Sequence, residues 1–439
     1  GGVIHVIVAA INVGAQSYWN AEATMLMHCA GLLIMTPEGA MVLTGKKALE
    51  YSGSVAAEDE RGIGGFSRIM GPNGQGQIFA PDIGAAYATL FEHYRNAWVA
   101  PGESSPRIHS SDDPLDRSIL EAPYSGSEGF ATVGEIFDDA TNPGRKRPFA
   151  IRQVMAAAVD VDCQPVERFG VMAEADTAVV WDARMGGMPV SVVGIESRSL
   201  PRRGRIPMDG PETWSGGTLF PQSSRKVARA LNAASGRRPV VVLANLSGFD
   251  GSPESLRRLQ LEYGAEIGRA VVNFKGPIVF VVIGRYHGGA YVVFSKALNE
   301  GLYAMALEGA YASVIGGAPA AAVVFPRLVR QRTMLRREVL AARKALSDAS
   351  PNRRPKLREA LDACVAEVLL EVQGEVAREF DAVHTVERAV AVGSLDTVIA
   401  PADLRSRVIS VLQDAAATPS LATDAGGGNG AALPSTPPS

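Results

Sequence analysis

Two short loops hold the residues of this sequence best suited to chemistry. One is Tyr286-His287-Gly288-Gly289-Ala290-Tyr291, and the other, upstream, is Ala244-Asn245-Leu246-Ser247-Gly248-Phe249. Each follows a β-branched run, Val240 to Leu243 and Ile278 to Ile283, and a stretch of helical periodicity separates them. The order is therefore strand, loop, helix, strand, loop, helix. A glycine-bearing loop between a buried strand and a helix aims unpaired backbone N–H groups at whatever sits above it, and the helix dipole adds positive potential. Such a loop holds an oxyanion or a phosphate. A Walker-type phosphate loop needs a lysine and a hydroxyl directly after its glycines, whereas Gly288-Gly289 is followed by Ala290-Tyr291-Val292-Val293. The three-glycine dinucleotide fingerprint is absent as well, which leaves the oxyanion.

The elements that must position these loops belong to a large globular chain. Its 439 residues, 46% hydrophobic and 20% charged, can bury a sizeable core and predict two domains or more. A net charge of −3 offers no basic excess for a phosphate backbone, so no nucleic-acid partner is expected. Cys29, Cys163 and Cys364 are odd in number and far apart, which argues for a reducing compartment and against a disulfide framework or zinc cluster. No apolar run is long enough for a membrane span, and Gly-Gly-Val-Ile-His reads as a strand start rather than a signal peptide. A cytoplasmic location follows as the expectation.

The two loop motifs and their spacing resemble the second half of the carboxyltransferase of biotin-dependent acyl-CoA carboxylases, the group that includes acetyl-CoA and propionyl-CoA carboxylases. Arg184-Met-Gly-Gly-Met-Pro189, leading into VSVVGIESRS, and the helix-like Ser223 to Asn232 agree with it. So does Val6 to Gly45, where LIMTPEGAMVLTG is similar to a segment of the first of two related domains. The arrangement is most like the carboxyltransferase part of single-chain long-chain acyl-CoA carboxylases. The resemblance implies an α/β fold of the crotonase type, a ββα spiral in two related domains, with the first one truncated. The chain is then expected to be a fragment, or one piece of a split or multidomain polypeptide.

The domains expected on this basis are residues 1–100 for the C-terminal part of the first, 101–116 for a linker rich in Pro, Ser and Asp, and 117–414 for the second. A helical arm over 327–378, broken at Pro351 and Pro355, belongs to the second domain, and residues 415–439 are a disordered tail. The glycine-dense stretch Arg61 to Gln77 lacks a preceding apolar strand and reads as a surface loop. Composition allows the arm to be either a solvated face or a partner-binding surface.

Carboxyl transfer from carboxybiotin to the α-carbon of an acyl-CoA passes through two anions, the ureido oxyanion and the thioester enolate, each in need of fixed N–H donors. The N–H groups of Gly289 and Ala290 are assigned to the biotin oxygen. An ungapped comparison with relatives, which carry a glycine pair for the thioester oxygen, lands on Ala21 and Glu22. By resemblance Asn245, Gly248, Phe249, Gly288 and Tyr291 line the biotin side, although Asn245 to Phe249 also reads as a plain strand-ending turn. The resemblance further implies that the biotin nitrogen removes the α-proton, and the sequence, with no paired carboxylates or Ser/His/Asp order, supplies no rival base. His287 is either an acid or base near biotin or a loop histidine bonded to the backbone. His28 reads as a core histidine, and Tyr18 and Trp19 as core aromatics or as walls of the acyl pocket. Ser247 stands where some acetyl-CoA carboxylases carry arginine, which puts acetyl-CoA as substrate in doubt. The implied partners are biotin as cofactor on a carboxyl carrier domain or protein, a biotin carboxylase and further copies of the chain, with acyl-CoA as substrate and no metal. A biotin-dependent decarboxylase and a non-catalytic structural subunit are the alternatives.

Overall fold

A computed structural model describes residues 3–22, 30–103, 105–202 and 206–417. The first hundred residues build two small parallel sheets. Strand β1 (Val6–Val8) leads to β2 (Ile11–Val13) and helix α1 (Ala15–Ala21), followed by β3 (Leu33–Met35), β4 (Ala40–Val42), β5 (Ile78–Phe79) and helix α2 (Ile83–Ala97). The sheets run β1-β3-β5 and β2-β4. The glycine-dense stretch is not a surface loop: it forms the helix Glu60–Gly64 and a π-helical turn, Phe66–Met70, with Phe66 buried. The close packing explains its glycines, since a Cβ on Gly64 would sit 2.1 Å from the Met41 carbonyl oxygen.

The larger sheet has eight strands. It contains β6 (Val166–Arg168), β7 (Ala178–Met185), β8 (Met188–Ile195), β9 (Val240–Leu246), β10 (Ile278–His287), β11 (Leu302–Leu307), β12 (Tyr311–Ser313) and β13 (Thr397–Ile399). Their order is β13-β11-β10-β9-β8-β7-β6, with β12 also paired to β10. β7 and β8 join through a two-residue hairpin at Gly186 and Gly187, whose φ of 59° and 76° suit the mirror-image turn that matches strand twist.

Both faces of this sheet are covered, which is why its central strands β9 and β10 open on the unbroken apolar runs Val240–Ala244 and Ile278–Ile283. Val241, Leu243, Val279, Val281 and Ile283 face one layer, containing helix α3 (Ile151–Ala158), residues 119–137 and helix α10 (Leu404–Ala417). Val240, Val242, Phe280 and Val282 face the other, built from helices α4 (Pro221–Ala234) and α5 (Gln260–Val272) and the short α6 (Gly289–Val293). The alternation is the strand period of two.

Between residues 320 and 383 the chain leaves the sheet. Helices α7 (Pro326–Met334), α8 (Arg337–Ser347) and α9 (Arg354–Val383) pack around their own cluster of Val329, Val339, Val368, Val372 and Val376. The break before α9 is a single 3-10 turn, Pro351–Arg353.

Residues 101–103 and 105–116 are irregular but anchored: Asp113 is buried, taking a bidentate pair of bonds from Arg117 at 2.6 and 2.9 Å. Helix α10 runs on to Ala417, so residues 415–417 are helical and not part of a tail; residues 418–439, like His28 and Cys29, lie outside the described residues.

Hydrophobic clusters stay within each half of the molecule, and buried polar groups join the halves. Arg168 donates to Gln77 Oε1 at 2.8 Å and to the Gly31 carbonyl at 2.9 Å. His93 Nδ1 donates to Asp182 Oδ2 at 2.9 Å, and Arg238 pairs with the other oxygen.

Candidate functional site

Strand β10 ends at His287 and α6 starts at Gly289, so the whole reversal falls on Gly288. Its φ of 61° and ψ of −138° are open to glycine and strained for any other residue. The N–H of Gly288 donates to the Val314 carbonyl at 2.9 Å, pinning the loop to the strand beside it. Among the described residues no backbone acceptor takes the N–H of Gly289 or Ala290, as expected for the opening turn of a helix.

The second motif lies against this loop. Gly248 and Phe249 form a short parallel pair with Thr218 and Leu219, which carries the Phe249 ring over Gly289. A Cβ on Gly289 would stand 2.6 Å from that ring, so glycine is what allows the approach.

Asn245 sits at the register shift between β9 and β10. The residue is 5% exposed, and its Oδ1 is buried with no hydrogen-bond partner among the described residues. A Cβ on Gly284 would lie 2.4 Å from that oxygen, so the neighbouring strand makes room for it. A buried, unpaired amide oxygen costs about 1–3 kcal/mol, a cost that a bound ligand with a donor would remove.

His287 is held in a structural role. Its Nδ1–H donates to the Ser313 carbonyl at 3.2 Å and lies 3.1 Å from Ser313 Oγ, whose own proton goes to the Ile315 carbonyl. Burial, reinforced by Arg285, pushes its pKa down and keeps the ring neutral near pH 7. Tyr291 turns away from the glycines, its hydroxyl donating to Ser394 Oγ at 2.5 Å, and lines a cleft of about 280 Å³ with Val314, His384 and Arg388.

The first half repeats this construction. β2 ends at Val13 and α1 starts at Ala15, with Gly14 between them at φ 66° and ψ −130°. The N–H of Gly14 donates to the Val42 carbonyl at 2.9 Å, as Gly288 does to Val314. Here, among the described residues, no backbone acceptor takes the N–H of Ala15 or Gln16. Ala21 and Glu22, by contrast, close the helix: Ala21 is its last residue, and the N–H of Glu22 donates back to Trp19 O at 3.1 Å. That end of a helix offers carbonyls rather than donors. The turn that presents N–H donors in this half therefore lies at the start of α1, six residues before the positions that the ungapped comparison reaches. The sequence marks the same turn internally, since Val13-Gly14-Ala15 echoes His287-Gly288-Gly289, and Glu38-Gly39-Ala40 echoes Glu308-Gly309-Ala310.

Tyr18 and Trp19 are not core residues: they are 62% and 66% exposed on α1. Of the residues assigned to biotin, Gly248, Phe249, Gly288 and Gly289 come together around one loop, with Ala290 beneath it, Tyr291 facing the cleft behind, and Asn245 lying against Gly284 further back along β10.

The carboxyl transferase domain family matches residues 20–423. The chain belongs to that family. It is 34% identical over 133 residues to acetyl-CoA carboxylase of Saccharomyces cerevisiae, covering 28% of this chain and 6% of that one. It is 26% identical over 272 residues to acetyl-CoA carboxylase of Dictyostelium discoideum, covering 59% and 11%. The chain thus spans about a tenth or less of the length of these relatives. Among solved structures it resembles transcarboxylase 12S, a hexamer crystallised with methylmalonyl-coenzyme A, at TM-score 0.66 and 22% identity, over 94% of this chain and 65% of that one. The fold is crotonase-like.

In the described residues no cluster of His, Cys, Asp or Glu could hold a metal ion, and no helix is long and apolar enough to cross a membrane.

Proposed function

We propose that this chain carries the carboxyl-transfer step of a biotin-dependent acyl-CoA carboxylase, moving a carboxyl group from carboxybiotin to the α-carbon of an acyl-CoA. The observation that carries the reading is the pair of matching loops, one in each half, each presenting two unpaired N–H groups behind a glycine of nearly identical torsions. One reaction that passes through two oxyanions needs two such donors sets.

Biotin, when bound, supplies the carboxyl group and the nitrogen that takes up the α-proton. The residues around Gly288 fit it: the glycine cradle lies under Phe249, and the orphaned Asn245 oxygen is suited to a ring N–H. Gly289 and Ala290 donate to the ureido oxygen. Ala15 and Gln16 donate to the thioester oxygen, replacing Ala21 and Glu22 in that role. Phe249 covers the ring and excludes water, so each N–H acts in a dry setting where it is worth more. His287 positions the loop and moves no proton. The biotin carrier and biotin carboxylase are the partners this activity requires, and the site is completed by further copies of the chain.

The test runs the reaction backwards. Carboxylated acyl-CoAs from malonyl to long-chain 2-carboxyacyl are supplied with biocytin as acceptor, and loss of the carboxylate is followed. Biocytin-dependent loss that peaks at one chain length establishes the activity and identifies the acyl class. A folded sample that shows none with any of them refutes the proposal.

A further inference from the structure

The distal end of the helical arm concentrates charge that the rest of the chain lacks. Residues 343–358 hold six cations, Arg343, Lys344, Arg353, Arg354, Lys356 and Arg358, against the single acid Asp348, a net charge of +5 in a chain whose total is −3. All six residues are exposed, and among the described residues none makes an ion pair. The ion pairs that tie the arm together, Arg332 with Glu379 and Arg336 with Glu375, lie nearer its base, where Asp381 accepts from the Gly317 N–H at 2.8 Å. Folding does not account for the distal charges. Lys344, in the last turn of α8, suits that helix's dipole, but Arg353, Arg354 and Lys356 crowd the start of α9, where positive charge is disfavoured and neither an acid nor a side-chain cap offsets it. Arg354 gives one donor to the Ala349 carbonyl at 3.2 Å, which fixes the corner between the two helices. Leu340, 46% exposed, precedes Arg343 and Lys344 by three and four residues and so shares their face of α8.

We infer that this end of the arm seats on an anionic lipid surface, its six cations against headgroup phosphates and Leu340 dipping into the interface. Such a surface is a dense, unshaped array of negative charge over an apolar layer, and it rewards an exposed, positively charged end without requiring a matching pocket. Other anionic macromolecules ask for what the arm does not have. Between Phe325 and Phe380 there is no aromatic residue. The nucleobases of a single strand therefore find nothing to stack on, and an acidic protein finds no Trp or Tyr to anchor it. A nucleic-acid duplex offers no apolar layer for Leu340. The association is peripheral, made by side chains at the arm's end while the sheet and its loops stay clear of the lipid.

The test sediments the full-length protein with vesicles of phosphatidylcholine, either alone or mixed with about one third phosphatidylglycerol. Binding to the mixed vesicles is expected at about 0.15 M salt, with loss at about 1 M and none to phosphatidylcholine alone. The variant Arg353→Gln, Arg354→Gln, Lys356→Gln, Arg358→Gln removes charges that oppose the α9 dipole, so Tm holds or rises while affinity for the mixed vesicles falls about 10³-fold. Arg343→Gln with Lys344→Gln, at two exposed positions of the other helix, lowers that affinity about 30-fold and gives an independent reading if the first variant folds poorly. No binding, equal binding to both kinds of vesicle, or undiminished binding by the folded variants overturns the inference. So does a tighter complex, at the same low salt, with polyglutamate or with a DNA duplex, which would make the partner an acidic protein or a nucleic acid.

Discussion

The loops at Gly14 and Gly288 share a backbone but not a setting. Around Gly288 an eight-stranded sheet is covered on both faces and Phe249 caps the turn. Around Gly14 the sheets are short, and Ile11, Val13, Tyr18, Trp19 and Leu43 are 44–66% exposed. The torsions agree within about ten degrees all the same. A strand that ends on a glycine and passes into a helix is thus a local instruction, satisfied wherever a parallel neighbour offers one carbonyl. What surrounds the turn is set by the rest of the domain. The residue after each glycine records the difference: Gly289 must lack a Cβ because of the Phe249 ring, while Ala15 carries one.

The sharpest way to break the comparison is Gly289→Val. The new side chain collides with Phe249 and displaces either the ring or the donors, and loss of one such donor alone costs about 10²–10³ in kcat. Biocytin-dependent decarboxylation is expected to vanish while Tm, read by calorimetry, stays close to that of the parent. An active Gly289→Val enzyme would refute the loop assignment.

Ala15→Pro asks the same question of the first half. Proline is tolerated at the first position of a helix, where its missing N–H has no intrahelical partner. The substitution removes one donor and leaves α1 in place. A drop in kcat of about 10²-fold, with unchanged circular dichroism, places the thioester oxygen at Ala15. Full activity in this variant refutes the assignment of the thioester oxygen to Ala15.

Much of the second half was legible in the sequence, because the runs Val240–Ala244 and Ile278–Ile283 are apolar throughout and lead into Gly-bearing turns. The oxyanion reading of Gly288-Gly289-Ala290 needed only strand, glycine and helix. The first half was harder. Its strands are three residues long, too short to show a period, and the register of Gly14 depends on pairing with Val42, which no local pattern reveals. The packing of Arg61–Gln77 was likewise hidden, since glycines that admit a close backbone approach look the same in sequence as glycines in a loop. The exposure of Tyr18 and Trp19 followed from what does not cover them, which composition cannot show.

Asn245→Leu separates burial from binding. It exchanges an unpaired buried amide for an apolar group of similar size, so folding stability is expected to hold or to rise by about 1 kcal/mol. If the amide meets the ring of biotin, KM for biocytin rises about tenfold, in keeping with one lost hydrogen bond. Unchanged KM with raised stability would leave Asn245 without a role in binding.

The smallest effect distinguishes the halves by acid. His5 sits beside His93, with ring centroids 5.0 Å apart, and its Nδ1 accepts a hydrogen bond from the Leu32 N–H at 3.2 Å. Burial first, then the neighbouring His93 and Arg168, pushes its pKa down to about 4. A proton at Nδ1 would also forfeit the bond from Leu32. Because the folded pKa lies below the unfolded value of about 6.5, the unfolded chain binds the proton first as pH falls. The stability associated with His5 is whole above pH 6.5 and drains away between there and pH 4. Asp182 acts outside this window: Arg238, Arg168 and His93 overcome the burial that would raise its pKa and hold it far below the usual carboxylate range, so its contribution is lost only in stronger acid. His5→Gln is therefore expected to raise Tm over the parent by about 2 °C at pH 4.5 and to leave the difference constant from pH 7 to 8. His287 is depressed too, but it belongs to the second half, so His287→Gln changes the acid sensitivity of that half and not the exchange of amides in β1 and α2. Hydrogen exchange resolved by peptide at pH 5 reads both variants at once. Protection of β1 and α2 that responds to His287→Gln but not to His5→Gln would show that the buried polar joint, rather than each half's own core, governs how the molecule opens in acid.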